Sequence, residues 1–276
     1  MRKIEMEVGE YLEYCKRVRG MSETTLAMKR NVLGRFLKKV KVETVKEIKN
    51  RDFDAWIFDE TKRKVSAQTL NMYNAVVIAM IKYYQDLGIN APLNLNLIKK
   101  VKGVRGKRIS YTEKEIDLVV ALTDQEMGLM IRMMSETGMR ISEMVRLRTS
   151  EINGRRINFV GKGRKYREVY LSTRTARLLE KFLDGRVGYV WGGLSLNGEP
   201  PSVNTVRNRL KKAFFLAGFE GFYPHALRHS FATNLQRKGA SVAEIKEMMG
   251  HASVATTERY LHEFEGRMEE LFTKYQ

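Results

Sequence analysis

Apolar residues along the first hundred positions recur at helical spacing. Ser22 can cap a segment running through Val40 in which Leu26, Val32, Leu33, Phe36 and Leu37 make one stripe. Ser66 can cap another that carries Leu70, Tyr73, Val77, Ile81 and Tyr84. Segments near 5–19 and 44–60 complete a four-helix unit, with Tyr73, Tyr83 and Tyr84 read as core filling rather than as stacking platforms for bases. The period changes from residue 155. Arg155 to Val160 and Tyr166 to Leu171 read as two strands around a turn at Gly161-Lys162-Gly163, because Val169 and Leu171 alternate with polar neighbours. Helices return after Ser172. Trp191-Gly192-Gly193 through Pro200-Pro201 reads as the longest loop, Ser202 opens a helix to about Ala217, Pro224 suits the first turn of the next, and Ser241 with Glu244 forms a capping box.

The expected fold is mainly α with a small β-sheet or hairpin in the second domain. A 276-residue chain has room for two domains. The boundary falls at 99–110, where six basic residues and two glycines occur without an acid; Thr112 and Glu115 then form a capping box. The expected division is a helical domain over 1–98, a basic linker over 99–110 and a second domain over 111–276. The linker can track phosphates or be a solvated connector.

Charge narrows the partner. A formal net charge of +18 and a pI near 9.9 favour a polyanion. The excess is concentrated before residue 111, with 24 Lys and Arg against 12 Asp and Glu, compared with 26 against 20 afterwards. One domain that grips and another that cuts would give that distribution. Cys15, the single cysteine, excludes an internal disulfide and a multi-cysteine zinc site. No apolar run approaches the roughly 20 residues that cross a bilayer, and the N-terminus lacks a secretory pattern, so no membrane attachment and a cytoplasmic location are expected.

The chemistry lies in the second half. Arg228 follows His225 by one helical turn, so both side chains can address one phosphate. A guanidinium offers a planar fork of donors to two phosphate oxygens and stays charged at any working pH. Arg140 is the second such clamp, with Glu143 better placed to orient it than to act as an acid. Tyr260 is a nucleophile only if neighbours remove its proton or stabilise its anion, and His225 and His251 can supply that environment. Lys162 on its turn can protonate a departing sugar oxygen, with Lys165 as the alternative; nonspecific backbone contact is an equally good account of any one basic residue in this hairpin. His225, His229, His251 and His262 lack cysteine partners and a His-Glu-x-x-His pattern, so neither a metal site nor a cofactor is expected. His229 is read as a structural hydrogen-bonder and His262 as an exposed residue.

These motifs, in order Glu136-Thr137-Gly138-Met139-Arg140-Ile141-Ser142-Glu143, Gly161-Lys162-Gly163-Arg164-Lys165, Pro224-His225-Ala226-Leu227-Arg228-His229 and Gly250-His251 through Thr256-Thr257-Glu258-Arg259-Tyr260, resemble the tyrosine recombinases (phage-integrase-like). Within them the chain is similar to the Xer-type members, the archaeal ones included. The resemblance covers most of 108–262, and the N-terminal helices are similar to the family's core-binding domain in pattern only. It implies a site-specific recombinase that cuts and rejoins DNA strands through a 3′-phosphotyrosyl intermediate. Arg140 and Arg228 would clamp the phosphate, Lys162 would act as acid toward the 5′ oxygen, His225 as acid and base, His251 as a phosphate hydrogen-bonder and Tyr260 as nucleophile.

The implied partners are a double-stranded DNA recombination site and further copies of the chain, as a tetramer on DNA. An apolar stripe at Phe264, Met268, Leu271 and Phe272 suits a C-terminal helix over 263–275, either donated to a neighbour or folded back. The implied role is chromosome or plasmid dimer resolution. A mobile-element integrase, a type IB topoisomerase-like nicking and sealing enzyme and a noncatalytic DNA-binding regulator are the alternatives. With no arm-binding module ahead of the four-helix unit, a simple recombinase is expected rather than a large phage integrase. Tyr166 and Tyr170 depart from the family's hairpin pattern, where a charged residue and a proline are common, and Leu261 stands where threonine is frequent.

Overall fold

A computed structural model describes residues 2–103, 109–161, 166–192 and 199–249. The chain divides into two compact units, Met1–Gly106 and Lys107–Gln276. Lys162, Lys165, His251, Tyr260, His262 and the expected helix over 263–275 lie outside the described residues.

The first unit packs four helices, α1 (Lys3–Arg17), α2 (Glu23–Lys39), α3 (Asn50–Lys62) and α4 (Ala67–Asp86). Ser22 and Ser66 cap α2 and α4, accepting from the backbone N–H of Thr25 and Thr69. The third helix begins later than the apolar pattern predicts. Residues 45–47 form a single 3-10 turn, and Asp52 draws the Lys49 N–H at 2.9 Å, which sets the helix start at Asn50. Leu33, Phe36, Trp56, Val77 and Ile81 fill the interior. The tyrosines are core elements as expected: Tyr84 is buried and donates to the Glu7 carbonyl at 2.6 Å, and Tyr83 packs against the rings of Tyr11, Tyr14 and Tyr84.

The second unit is built around α6 (Gln125–Thr137). Met127, Leu129, Met130, Ile131, Met133 and Met134 bury apolar surface around most of its circumference, as a central helix must. α5 (Glu113–Ala121) approaches it at Gly128, where an added Cβ would lie 3.2 Å from Val120. α7 (Ile141–Val145) follows at once. A three-stranded antiparallel sheet comes next, β1 (Ile152–Asn153), β2 (Arg156–Val160) and β3 (Tyr166–Tyr170), in the order β1-β2-β3. β1 adds two residues to the expected hairpin, too short a strand to show a period in the sequence. Ile157 opposite Val169 and Phe159 opposite Arg167 point inward.

Four further helices follow among the described residues: α8 (Thr173–Leu183), α9 (Val203–Leu216), α10 (Pro224–Arg237) and α11 (Val242–Met249). Their starts follow the sequence signals, with Ser172 and Ser202 as caps, Pro224 in the first turn and Ser241 paired with Glu244. Glu136, at the end of α6, receives the Ser172 N–H at 2.9 Å and the Thr175 hydroxyl at 2.6 Å, which joins α6 to the start of α8. Trp191 is fully buried, its indole N–H donating to the Met144 carbonyl at 2.8 Å. Among the described residues no helix is long and apolar enough to cross a membrane.

Candidate active site

The site begins where α6 stops. Gly138 takes a left-handed conformation with φ +61°, which lets its N–H close back on the Met134 carbonyl and turns the chain into α7. That turn leaves the next residues little freedom, because a Cβ on Gly138 would lie 2.5 Å from the Phe231 ring of α10. Arg140 comes two residues later as the N-cap of α7. Glu143 in the first turn accepts the Arg140 backbone N–H at 2.8 Å and its guanidinium at 2.7 Å. The sequence reading of Glu143 as the group that orients Arg140 matches this geometry.

Arg228 approaches the same turn from α10. It is 3% exposed, donating one guanidinium N–H to the Gly138 carbonyl and another to the Met249 carbonyl at 2.6 Å. Gly138 caps the end of α6, where carbonyls lack intrahelical donors and the helix dipole is negative, and Met249 is the last described residue of α11. One cation therefore ties α10 both to the end of α6 and to α11, beside Arg140.

A third arginine takes part. Arg167 on β3 points inward, 7% exposed, and its guanidinium donates to the second Glu143 oxygen at 3.1 Å and to the Met248 carbonyl at 3.4 Å. It also lies over the Phe159 ring at 5.1 Å. Burial disfavours its charged form and Arg140 adds repulsion, while Glu143 opposes both. This residue was missed in the sequence, although stepping back by two from Leu171 and Val169 lands on it. A basic residue in the inward phase of a strand requires a buried partner.

His225 sits one turn before Arg228, exposed at the start of α10. Partial withdrawal of its ring from water lowers its pKa from the ordinary value, and the positive charges of Arg228, Arg140 and Arg207 lower it further, with Glu143 opposing. The neutral imidazole, able to accept a proton, is thus the favoured form at neutral pH. His229 is buried. The structure therefore brings Arg140, His225 and Arg228 together among the six expected site residues, while Lys162, His251 and Tyr260 fall outside the described segments. No group of three or more potential metal-ligating side chains occurs among the described residues. The arrangement presents guanidiniums and an imidazole around one carboxylate, a setting suited to an anion with oxygens on several sides.

Comparison with known proteins gives the class. The model of the phage integrase family matches residues 109–267, more than half of the chain, and the chain belongs to that family. It is 27% identical to the tyrosine recombinase XerC of Herpetosiphon aurantiacus across 94% of this chain and 91% of that one. In fold it is similar to a crystal structure of XerA recombinase, with TM-score 0.55, 24% identity and 99% of each chain covered. It is also similar to the XerH site-specific recombinase bound to its palindromic difH substrate, with TM-score 0.75, 20% identity, 97% of this chain and 84% of that one.

Two outcomes follow from the geometry. Gly138→Ala adds a left-handed Cβ, about 1–2 kcal/mol in itself, plus the clash with Phe231. Gly154→Ala adds the same backbone cost at φ +57° with nothing within 4 Å. Chemical denaturation of the two variants should show Gly138→Ala destabilised clearly more; equal losses would remove Phe231 from the account. For His225, a folded pKa below the ordinary 6.5 means that the unfolded chain takes up the proton first as pH falls. The folding stability attributable to it is whole above about pH 6.5 and declines as pH drops toward the lower folded value. Urea unfolding across that window should show a decline in the native chain that His225→Gln lessens, and an unchanged pH slope would contradict the shift.

Proposed function

We propose that this protein is a site-specific DNA tyrosine recombinase of the Xer type. The observation that carries the reading is the convergence of Arg140 and Arg228 on one helix end: Arg228 grips the Gly138 carbonyl, two residues before Arg140 in the chain. Two forked cations there can hold the nonbridging oxygens of a phosphodiester and stabilise the extra negative charge of its pentacoordinate transition state. The family match and the named recombinase relatives point to the same chemistry.

In this reading the Tyr260 oxygen attacks phosphorus, the phosphorus–O5′ bond breaks, and a 3′-phosphotyrosyl bond forms. The phenolic proton passes to a neighbouring base, for which neutral His225 is suited, and Lys162 supplies a proton to the departing 5′ oxygen. His251 hydrogen-bonds the phosphate. Because one phosphate ester replaces another, a 5′ hydroxyl from a second duplex can reverse the step without an external energy source. The substrate is a double-stranded recombination site, as in the XerH complex with difH, and the working assembly is a tetramer on DNA. Resolution of chromosome or plasmid dimers in the cytoplasm is the role that fits the Xer relatives.

The test is covalent capture. A library of nicked duplexes carrying fragments of the host genome is incubated with the protein, and the linked DNA and peptide are recovered. The native chain should yield a denaturation-resistant adduct mapping to Tyr260. Tyr260→Phe should bind the same duplexes and yield none, because only the nucleophilic oxygen is lost. An adduct that survives the substitution would overturn the assignment.

A further inference from the structure

Resting on the recombinase reading, we propose that Arg167 is a positioning residue that acts on the phosphate clamp Arg140 through Glu143. The Glu143 carboxylate is 7% exposed and divides its oxygens: one accepts the Arg140 guanidinium at 2.7 Å, the other accepts the Arg140 backbone N–H at 2.8 Å and the Arg167 guanidinium at 3.1 Å. Arg140 alone cannot fix that carboxylate. Its own side chain is 25% exposed and rotates about several bonds, and its partner lies on the same short helix, so the pair could swing together. Arg167 is different, since its base is held in the ladder of β3 against β2, and its guanidinium is enclosed by Phe159 and the Met248 carbonyl. It supplies a fixed point outside α7 to which the carboxylate is tied, so the direction of the Arg140 fork follows from the sheet.

Burial of this kind has a cost that packing alone does not explain. An inward strand position between Ile157, Phe159 and Val169 would be filled more cheaply by an aliphatic side chain, and a guanidinium withdrawn from water is destabilising unless it is paired. The arrangement also leaves two cations sharing one carboxylate. A net positive charge therefore remains at Arg140, the more exposed of the two, where an incoming phosphate can meet it. Arg167 further contacts the carbonyl of Met248 while Arg228 contacts that of Met249, so the sheet and α10 hold consecutive carbonyls of α11, the second of them two residues before His251 in the sequence.

The experiment pairs cleavage kinetics with a measurement that needs no cleavage. Arg167→Met, Arg167→Lys, Glu143→Gln and the double variant Glu143→Gln/Arg167→Met are prepared in the full chain. With the captured duplex in excess, Arg167→Met should slow single-turnover adduct formation by about 10- to 100-fold while the half-saturating DNA concentration moves less than about twofold, because misdirection of the fork affects the reacting state more than binding. Arg167→Lys, which can reach Glu143 but cannot make both contacts, should fall between Met and the native residue. In the Glu143→Gln background the further loss from Arg167→Met should be less than about twofold, since Arg167 acts through that carboxylate.

In parallel, the Nε–H resonance of Arg140, assigned by Arg140→Lys, should be ordered in the native chain and mobile in the Arg167 variants. An unchanged resonance, or full additivity with Glu143→Gln, overturns the proposal. Absence of any adduct from the native chain, with the Arg140 resonance still responding to Arg167, would instead sink the recombinase reading and leave the positioning intact. If Arg167→Met does not fold, Arg167→Lys carries both measurements, and native rate and order in that variant would refute the role.

Discussion

A single carboxylate, Glu143, keeps three arginine donors in register, and the geometry of the site depends on it. Two guanidiniums on neighbouring elements repel, and with one of them buried the repulsion is poorly screened. Glu143 converts that repulsion into a bridge because its two oxygens face different partners, Arg140 from the same helix and Arg167 from β3. The bridge is also a cap, since the carboxylate accepts the Arg140 N–H and so starts the helix that carries both residues. Helix initiation and charge placement are thereby one event, and any movement of Glu143 would alter both.

The second constraint is the way helix ends are used. Carbonyls at the end of α6 have no partners within their own helix and must find donors. Arg228 supplies one from α10 at Gly138 and reaches the Met249 carbonyl of α11 as well, with Arg167 adding a contact at Met248. The left-handed Gly138 is what makes the first of these possible. Any side chain there would meet Phe231, so the close approach of α10 to the end of α6 depends on a hydrogen atom in place of a Cβ. Placement of the proposed site in this chain is therefore tied to helix termination, and Arg228 holds the very turn that presents Arg140.

Much of this organisation was legible in the sequence, for reasons that differ by element. Ser22, Ser66, Ser172 and Ser202 announce helices because a hydroxyl that accepts a backbone N–H is a local device, independent of tertiary context. The stripe of Leu33 and Phe36 and the pairing of Glu143 with Arg140, three residues apart, are local in the same sense. The late start of α3 was not legible, because Val45 and Ile48 continue the apolar spacing although the chain there forms only a 3-10 turn. Strand β1 is too short to have a period. For Arg167 the alternation of β3 marks an inward basic residue, but its partner lies 24 positions earlier in the chain, so the pattern shows that a partner is needed and not which one.

The two proposed clamps differ in how firmly they are held, and that difference bears on how a phosphate would be received. Arg228 is buried and already hydrogen-bonded to two carbonyls, so its direction is set before any ligand arrives. Arg140 is more open and is held chiefly through one carboxylate that it shares. A phosphate entering between them would meet one donor held by two carbonyls and another aimed through Glu143, and a hydrogen bond that Arg140 gives up to a phosphate oxygen would not leave that carboxylate unpaired, because Arg167 remains on it. Electrostatic preorganisation costs least at the moment of reaction when the donors need not reorient. On the proposed reading, the buried arginine of β3 holds the open arginine of α7 in advance through Glu143 and leaves its remaining donors for the substrate.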